Sequence, residues 1–163
     1  MKKIIITGAN GFLGSSLLPK LLDNYQVTAI IRSEPKVRYP NVNYLKLDIF
    51  NEEKILKVFK KNRFDYLIHL AWYAKPKLFW ESEKNFKFLH ASRNLYYNFC
   101  ENGGKYAVFI GSAAECDLEL KVIKDNKIDK RLFKSKYAIS KFLLMKNVNE
   151  ISNIFDSKYA WLR

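Results

Sequence analysis

Apolar residues in this chain fall into short continuous runs separated by stretches with helical spacing. Lys2 to Ile6 is an aliphatic run, and Thr7-Gly8-Ala9-Asn10-Gly11-Phe12-Leu13-Gly14 follows without a spacer. Ser15 to Leu22 then places Leu17, Leu18, Leu21 and Leu22 on one broad helical face. Val27 to Ile31 reads as a second buried strand, broken off by Arg32-Ser33-Glu34-Pro35. Val42 to Leu47 alternates loosely and ends on Asp48. Asn51-Glu52-Glu53 opens a short helix with Ile55, Leu56 and Phe59 on its apolar side, capped by Asn51 or Asp48. Tyr66 to Leu70 is a fourth strand. From about 79 to 100 a long helical pattern carries Phe86, Leu89, Leu95 and Phe99, and Asn102-Gly103-Gly104 stops it. Tyr106 to Ile110 is a fifth strand, closed by Gly111-Ser112. A lysine-rich segment of poor periodicity leads to a helix from about 134 to 149, and Tyr159 to Leu162 is a sixth strand.

Strands alternating with helices predict an α/β fold with a doubly wound parallel sheet, whose ligands sit at the carboxyl ends of the strands. The chain has 163 residues, 48% hydrophobic and 28% charged, which fits one folded domain over 1–163. No apolar run reaches the roughly 18 residues of a membrane span, and Thr7, Gly8 and Asn10 interrupt the opening run too early for a signal peptide. Two cysteines, Cys100 and Cys116, suggest no disulfide framework, so a reducing cytoplasm is the default. No metal site is expected. Lys and Arg number 29 against 16 Asp and Glu, a net charge of +13, which on its own would suit a nucleic-acid partner. The lysines are spread singly, however, and the densest region, 121 to 141, is interrupted by Asp125 and Asp129. The excess reads better as solvated surface serving an anionic cofactor and substrate.

The chemistry begins at the glycine turn. A strand, a glycine-bearing turn and a helix form a phosphate cradle: Gly8 lets the backbone leave the strand, Gly11 removes a side chain facing the pyrophosphate, and Gly14 lets the helix lie close to the sheet. Free N–H groups at the helix start then face the phosphates. Later in the chain, Tyr137-Ala138-Ile139-Ser140-Lys141 places a phenol and an ammonium four residues apart on one helix face. A nearby ammonium and a cationic nicotinamide would both lower a tyrosine pKa from its reference near ~10, making Tyr137 an acid/base. With ten tyrosines in the chain the pair alone means little. Ser112 adds weight, because the end of the fifth strand points into the same crevice.

Together these residues resemble the extended short-chain dehydrogenase/reductases, the NAD(P)-dependent epimerase/dehydratase family that acts mainly on nucleotide sugars. Thr7 to Gly14 is similar to its TGxxGxxG turn, and Ser112, Tyr137 and Lys141 to its Ser/Thr…YxxxK apparatus. The resemblance implies a three-layer α/β/α, Rossmann-like fold. It implies cofactor contacts from Thr7, Gly8, Asn10, Gly11, Phe12, Leu13, Gly14, Tyr137 and Lys141. Asp48 and Ile49 would lie beside the adenine, and Leu70 and Ala71, in a His69-Leu70-Ala71 motif, would border the cofactor. By the same resemblance Ser112 orients the sugar oxygen, Tyr137 exchanges its proton, Lys141 binds the nicotinamide ribose, and Asn85 helps arrange the active site and its proton path.

Departures from the pattern narrow the reading. The dehydratases of the family carry an Asp-Glu pair after the hydroxyl residue, whereas Ala113-Ala114 stand here, so an epimerase or a 4-keto reductase fits better. An acid near the end of the second strand usually holds the ribose of NAD; Arg32 and Ser33 there would suit the 2′-phosphate of NADP, with NAD as the alternative. The substrate domain of the extended members is expected to be missing, so the chain is a fragment or a partner supplies the substrate contacts. A homodimer through 79–100 and 135–149 is expected from the family, with Phe86, Tyr96 and Leu143 either contributing to it or belonging to the core. The alternative function is a non-catalytic dinucleotide-binding protein on the same fold.

Overall fold

The computed structural model describes residues 1–35, 37–116 and 135–163. Among these residues, six strands form one parallel sheet: β1 (Lys2–Thr7), β2 (Tyr25–Ile31), β3 (Val42–Lys46), β4 (Tyr66–His69), β5 (Tyr106–Ile110) and β6 (Lys158–Leu162). Their spatial order is β3-β2-β1-β4-β5-β6, so the chain reverses direction across the sheet between β1 and β4. That switch point opens a crevice at the carboxyl ends of the two strands. Among the described residues, four helices flank the sheet: α1 (Phe12–Leu21), α2 (Glu52–Lys61), α3 (Lys84–Glu101) and α4 (Lys136–Phe155).

The aliphatic runs are continuous because the central strands bury both faces. Ile4 and Ile6 of β1, with Ala29, Ile31 and Ile68, pack under Leu18 and Leu21 of α1. Ile5, with Ile30, Leu67 and Phe109, faces the opposite way, into a core with α2, α3 and α4. Alternation along each strand thus makes the three layers that the sequence predicts.

Helix ends follow local chemistry. Asn51 caps α2, its Oδ1 accepting from Lys54 N at 3.0 Å, while the Asp48 carboxylate accepts from Phe50 N instead. After α3, Gly103 has φ +79°, and Gly104 N donates to Phe99 O while Gly103 N donates to Cys100 O, the paired bonds of a Schellman stop. The Ser135 hydroxyl caps α4 by accepting from Ala138 N.

Two expectations need correction. The long helix starts at Lys84 rather than near 79, because the carbonyls of Phe79, Trp80 and Ser82 are engaged outside the helix. Asn85 Nδ2 donates to Phe79 O and Ser82 O, and Tyr137 N donates to Trp80 O. The last helix continues past 149 to Phe155, where Asp156 ends it with φ +49°. Of the two readings open for Tyr96, the structure shows the core one: it is fully buried, stacked on Phe99 and edge-on to Phe109. The lysine-rich stretch from 121 to 134, with Asp125 and Asp129, lies outside the described residues.

Candidate functional site

A cleft of about 430 Å³ opens at the carboxyl ends of β1, β2, β3 and β4. The structure brings together there Thr7, Gly8, Asn10, Gly11, Phe12, Leu13, Gly14, Arg32, Ser33, Asp48, Ile49, Leu70 and Ala71, with Trp72 and Phe88 completing the wall.

The backbone of the turn explains its glycines. Gly8 adopts φ +73°, and a Cβ there would stand 2.7 Å from Ala71 N and 2.8 Å from Leu70 C. The turn therefore leans directly on the end of β4. At Gly14 a Cβ would meet Gly8 O at 2.2 Å and Ala9 Cα at 2.6 Å, so this glycine lets α1 close onto its own turn. Gly11 is different: a Cβ there would approach only Gly8 O, at 3.1 Å, and the position is exposed to the cleft. Phe12, 90% exposed, begins the helix beside it.

Side chains stitch this cradle to the neighbouring strands. Asn10 Nδ2 donates to Ser33 O at 2.7 Å, tying the turn to the end of β2. Ala71 N donates to Thr7 Oγ1, whose hydroxyl meets His69 Nδ1 at 2.7 Å, and His69 Nε2 meets Ser92 Oγ at 2.7 Å. Burial, reinforced by the Lys141 charge, pulls the His69 pKa down to about 3, so the ring is neutral. A neutral ring satisfies both neighbours when Thr7 O–H donates to Nδ1 and Nε2–H donates to Ser92. Arg32 is exposed at the cleft rim, while Glu34, beyond it, is paired with Arg38 and Lys46 at 3.2 Å each.

The other candidates gather at the β5 end. Ser112 accepts from Ala114 N at 3.2 Å and so caps a single 3-10 turn, Ala113–Glu115. Its hydroxyl also lies by the Tyr137 phenol and favours ionisation, but burial dominates and raises the Tyr137 pKa, with Glu115 adding to the rise. Here the sequence-based expectation of a phenol lowered by Lys141 is not met. Lys141 Nζ stands 6.0 Å from the Tyr137 ring centroid; it donates instead to Ile110 O at 2.7 Å and sits 3.7 Å from the centre of the Trp72 ring. Burial pulls the Lys141 pKa from 10.5 to about 7, with Glu115 partly offsetting the fall. Asn85 is fully buried, and its Oδ1 accepts from Trp72 Nε1 at 3.0 Å.

Two residues that sequence reasoning did not assign to the site shape it. Trp72 lines the cleft and carries the Lys141 ammonium on its face. Glu115 is fully buried; its Oε1 accepts from Trp161 Nε1 and from Arg163 Nε, which turns it toward β6. Neither contact has a sequence signature, since each joins segments far apart in the chain.

A profile described as the NAD dependent epimerase/dehydratase family matches residues 4–163. The chain belongs to that family. Its fold is also similar to solved epimerases. UDP-glucose 4-epimerase of Thermotoga maritima, solved with UDP-glucose, superposes with a TM-score of 0.80 at 22% identity, covering 99% of this chain and 54% of that one. UDP-glucose 4-epimerase of Thermus thermophilus, solved with NAD, gives 0.80 at 21% identity with the same coverages. An uncharacterized protein of Methanocaldococcus jannaschii is 28% identical over 86 residues, 43% of this chain and 26% of its own length. At these identities the solved structures establish the Rossmann-like fold of this family member. The chain spans about half the length of those structures. Among the described residues, no helix is long and apolar enough to cross a membrane.

Proposed function

We propose that this chain is the cofactor-binding half of an NAD(P)-dependent nucleotide-sugar epimerase or 4-keto reductase. The observation that carries the reading is the junction of two elements. A glycine cradle stands at the switch point of the sheet, and Trp72, in the wall of the same cleft, holds Lys141 from the Tyr137 helix. A nicotinamide dinucleotide, when bound, supplies the hydride acceptor or donor. The turn from Thr7 to Gly14 offers backbone N–H groups to its phosphates, and Asp48 and Ile49 border the adenine end.

In this reading Tyr137 exchanges a proton with the sugar hydroxyl or keto oxygen. Ser112, whose hydroxyl already favours the phenolate, orients that oxygen. Lys141 binds the nicotinamide ribose, and its charge supports the phenolate once it stands nearer the phenol than in the present arrangement. Ala113-Ala114 bring no proton-transfer group, and the next carboxylate, Glu115, is engaged by Trp161 and Arg163. Water elimination therefore lacks its acid/base, which favours epimerisation or ketone reduction.

The exposed Arg32, with Glu34 held in ion pairs, favours NADP. NAD is the second reading, supported by the NAD seen in the Thermus thermophilus enzyme. Partly buried Phe86 and Leu143 and exposed Tyr97 and Ile154 support a homodimer through α3 and α4, with sedimentation velocity as its check. The 163-residue chain binds dinucleotide weakly and turns over little sugar by itself. A 4-keto sugar nucleotide consumed with cofactor and spared by Tyr137→Phe supports an enzyme in the complete protein. Tight binding without turnover favours a dinucleotide-sensing protein instead.

A further inference from the structure

Resting on the reading of Lys141 as the ribose-binding lysine, we infer that Trp72 is its positioning residue and that Asn85 acts through Trp72. A buried ammonium must find protein partners for the charge it withdraws from water. Lys141 is 5% exposed, and a protonated amine has three N–H groups to place. One goes to Ile110 O at 2.7 Å, and no carboxylate pairs with it among the described residues. The indole face of Trp72, 3.7 Å away, meets the remaining positive charge through its π quadrupole. The two contacts hold the amine at the carboxyl ends of two adjacent strands: Ile110 ends β5, and Trp72 follows β4.

An indole serves as a seat only if its plane is fixed, and Asn85 fixes it. Its Oδ1 accepts from Trp72 Nε1 at 3.0 Å, and its Nδ2 donates to Phe79 O at 2.6 Å and Ser82 O at 3.0 Å. Turning the amide over would set its NH2 against an indole N–H and its oxygen against two carbonyls, so one orientation alone satisfies the group. Asn85 is thereby spent on Trp72 and on the backbone before α3, and its place in the site is indirect.

The same backbone segment also touches the other member of the pair. Phe79 and Trp80 pack edge-on against Tyr137 at 4.8 and 5.6 Å, and Trp80 O accepts from Tyr137 N. Residues 72 to 85 thus set both the phenol and the amine, although the Tyr-Lys motif lies on a different helix. Burial brings Lys141 to about 7, which is consistent with an amine enclosed by an aromatic face and one carbonyl; Glu115 attracts it from the 3-10 turn, and neutral His69 lies on the β4 side.

The test is nuclear magnetic resonance of the free protein with 13Cε-labelled lysine, so its outcome does not depend on any dinucleotide binding. The Lys141 methylene signal is identified by its disappearance in Lys141→Met. It is expected upfield of the other lysines, from the ring current of the indole. Trp72→Phe, which keeps an aromatic face, retains an upfield shift, and Trp72→Leu returns the signal to the main envelope. Asn85→Ala reduces the shift because the ring is no longer fixed. If Trp72→Leu does not fold, Asn85→Ala carries the test in its place. A Lys141 signal inside the envelope in the unmodified protein overturns the assignment, as does an upfield signal that neither Trp72→Leu nor Asn85→Ala moves.

Discussion

The glycine turn and the Tyr137–Lys141 helix form two parts of one candidate site, built by different means. From Thr7 to Gly14 the geometry is local: positive φ at Gly8 and a forbidden Cβ at Gly14 are consequences of consecutive residues in the same turn. Around Lys141 nothing is local. Its neighbours are Trp72, Ile110 and Glu115, with Asn85 behind Trp72. A backbone site can be written in a short motif, whereas a side-chain site depends on which strands the topology places side by side.

Substitutions can break this contrast, and the largest effect belongs to the turn. Gly14→Ala forces a methyl onto Gly8 O and Ala9, where only backbone is available to move. It should destabilise the chain by about 2–4 kcal/mol in urea unfolding and remove dinucleotide binding with it. A near-normal unfolding midpoint would show that α1 does not close on its turn.

Lys141→Met should act in the opposite direction. An amine held near 7 rather than 10.5 costs the fold stability at neutral pH, and an apolar replacement of similar length removes that cost. A gain on the order of 2–4 kcal/mol at pH 7 is expected, with cofactor-dependent turnover of the complete protein lost. The sign follows from linkage. Between pH 7 and 10.5 the unfolded lysine binds more proton than the folded one, so the unmodified protein gains stability as pH rises through that window. The advantage of the variant should shrink correspondingly, and an advantage independent of pH would contradict the buried-ammonium geometry.

His69 provides a smaller test in the acid range. Its folded pKa of about 3 lies below the ordinary 6.5, so its contribution is complete above 6.5 and is lost as pH falls toward 3. His69→Leu should remove this acid sensitivity while costing about 1–3 kcal/mol at pH 7 from the hydroxyls of Thr7 and Ser92 left without the ring. Urea titrations at pH 4 and 7 on both proteins measure it. The smallest structural effect belongs to Gly11→Ala, whose methyl meets only Gly8 O at 3.1 Å. Its unfolding midpoint should stay within about 1 kcal/mol of the parent while dinucleotide affinity drops tenfold or more.

The same contrast accounts for what was legible in the sequence. The fifth strand matches residue for residue, and six strands stand along the chain where the aliphatic runs are. The cofactor residues read from the glycine motif and from the ends of β2, β3 and β4 line one cleft, whereas Ser112, at the end of β5, is not in its lining. The start of α3 was not legible, because what ends the helix there is a buried amide from Asn85 and a backbone bond from the distant Tyr137. Tyr96 shares helical spacing with surface candidates, and only the position of Phe109 on β5 reveals it as core. The i, i+4 spacing of Tyr137 and Lys141 brings the two onto one face, but Trp72, 69 residues before Lys141, decides where the ammonium rests.

Whether the cleft over Thr7–Gly14 holds a nicotinamide dinucleotide is decided by equilibrium binding of NADPH and NADH to the 163-residue chain and to its Gly11→Ala variant. Saturable binding is expected, tighter for NADPH, that weakens at least tenfold in a variant whose unfolding curve is unchanged. Failure of the folded parent chain to bind either dinucleotide, or equal affinity in parent and variant, would contradict a dinucleotide site in that cleft.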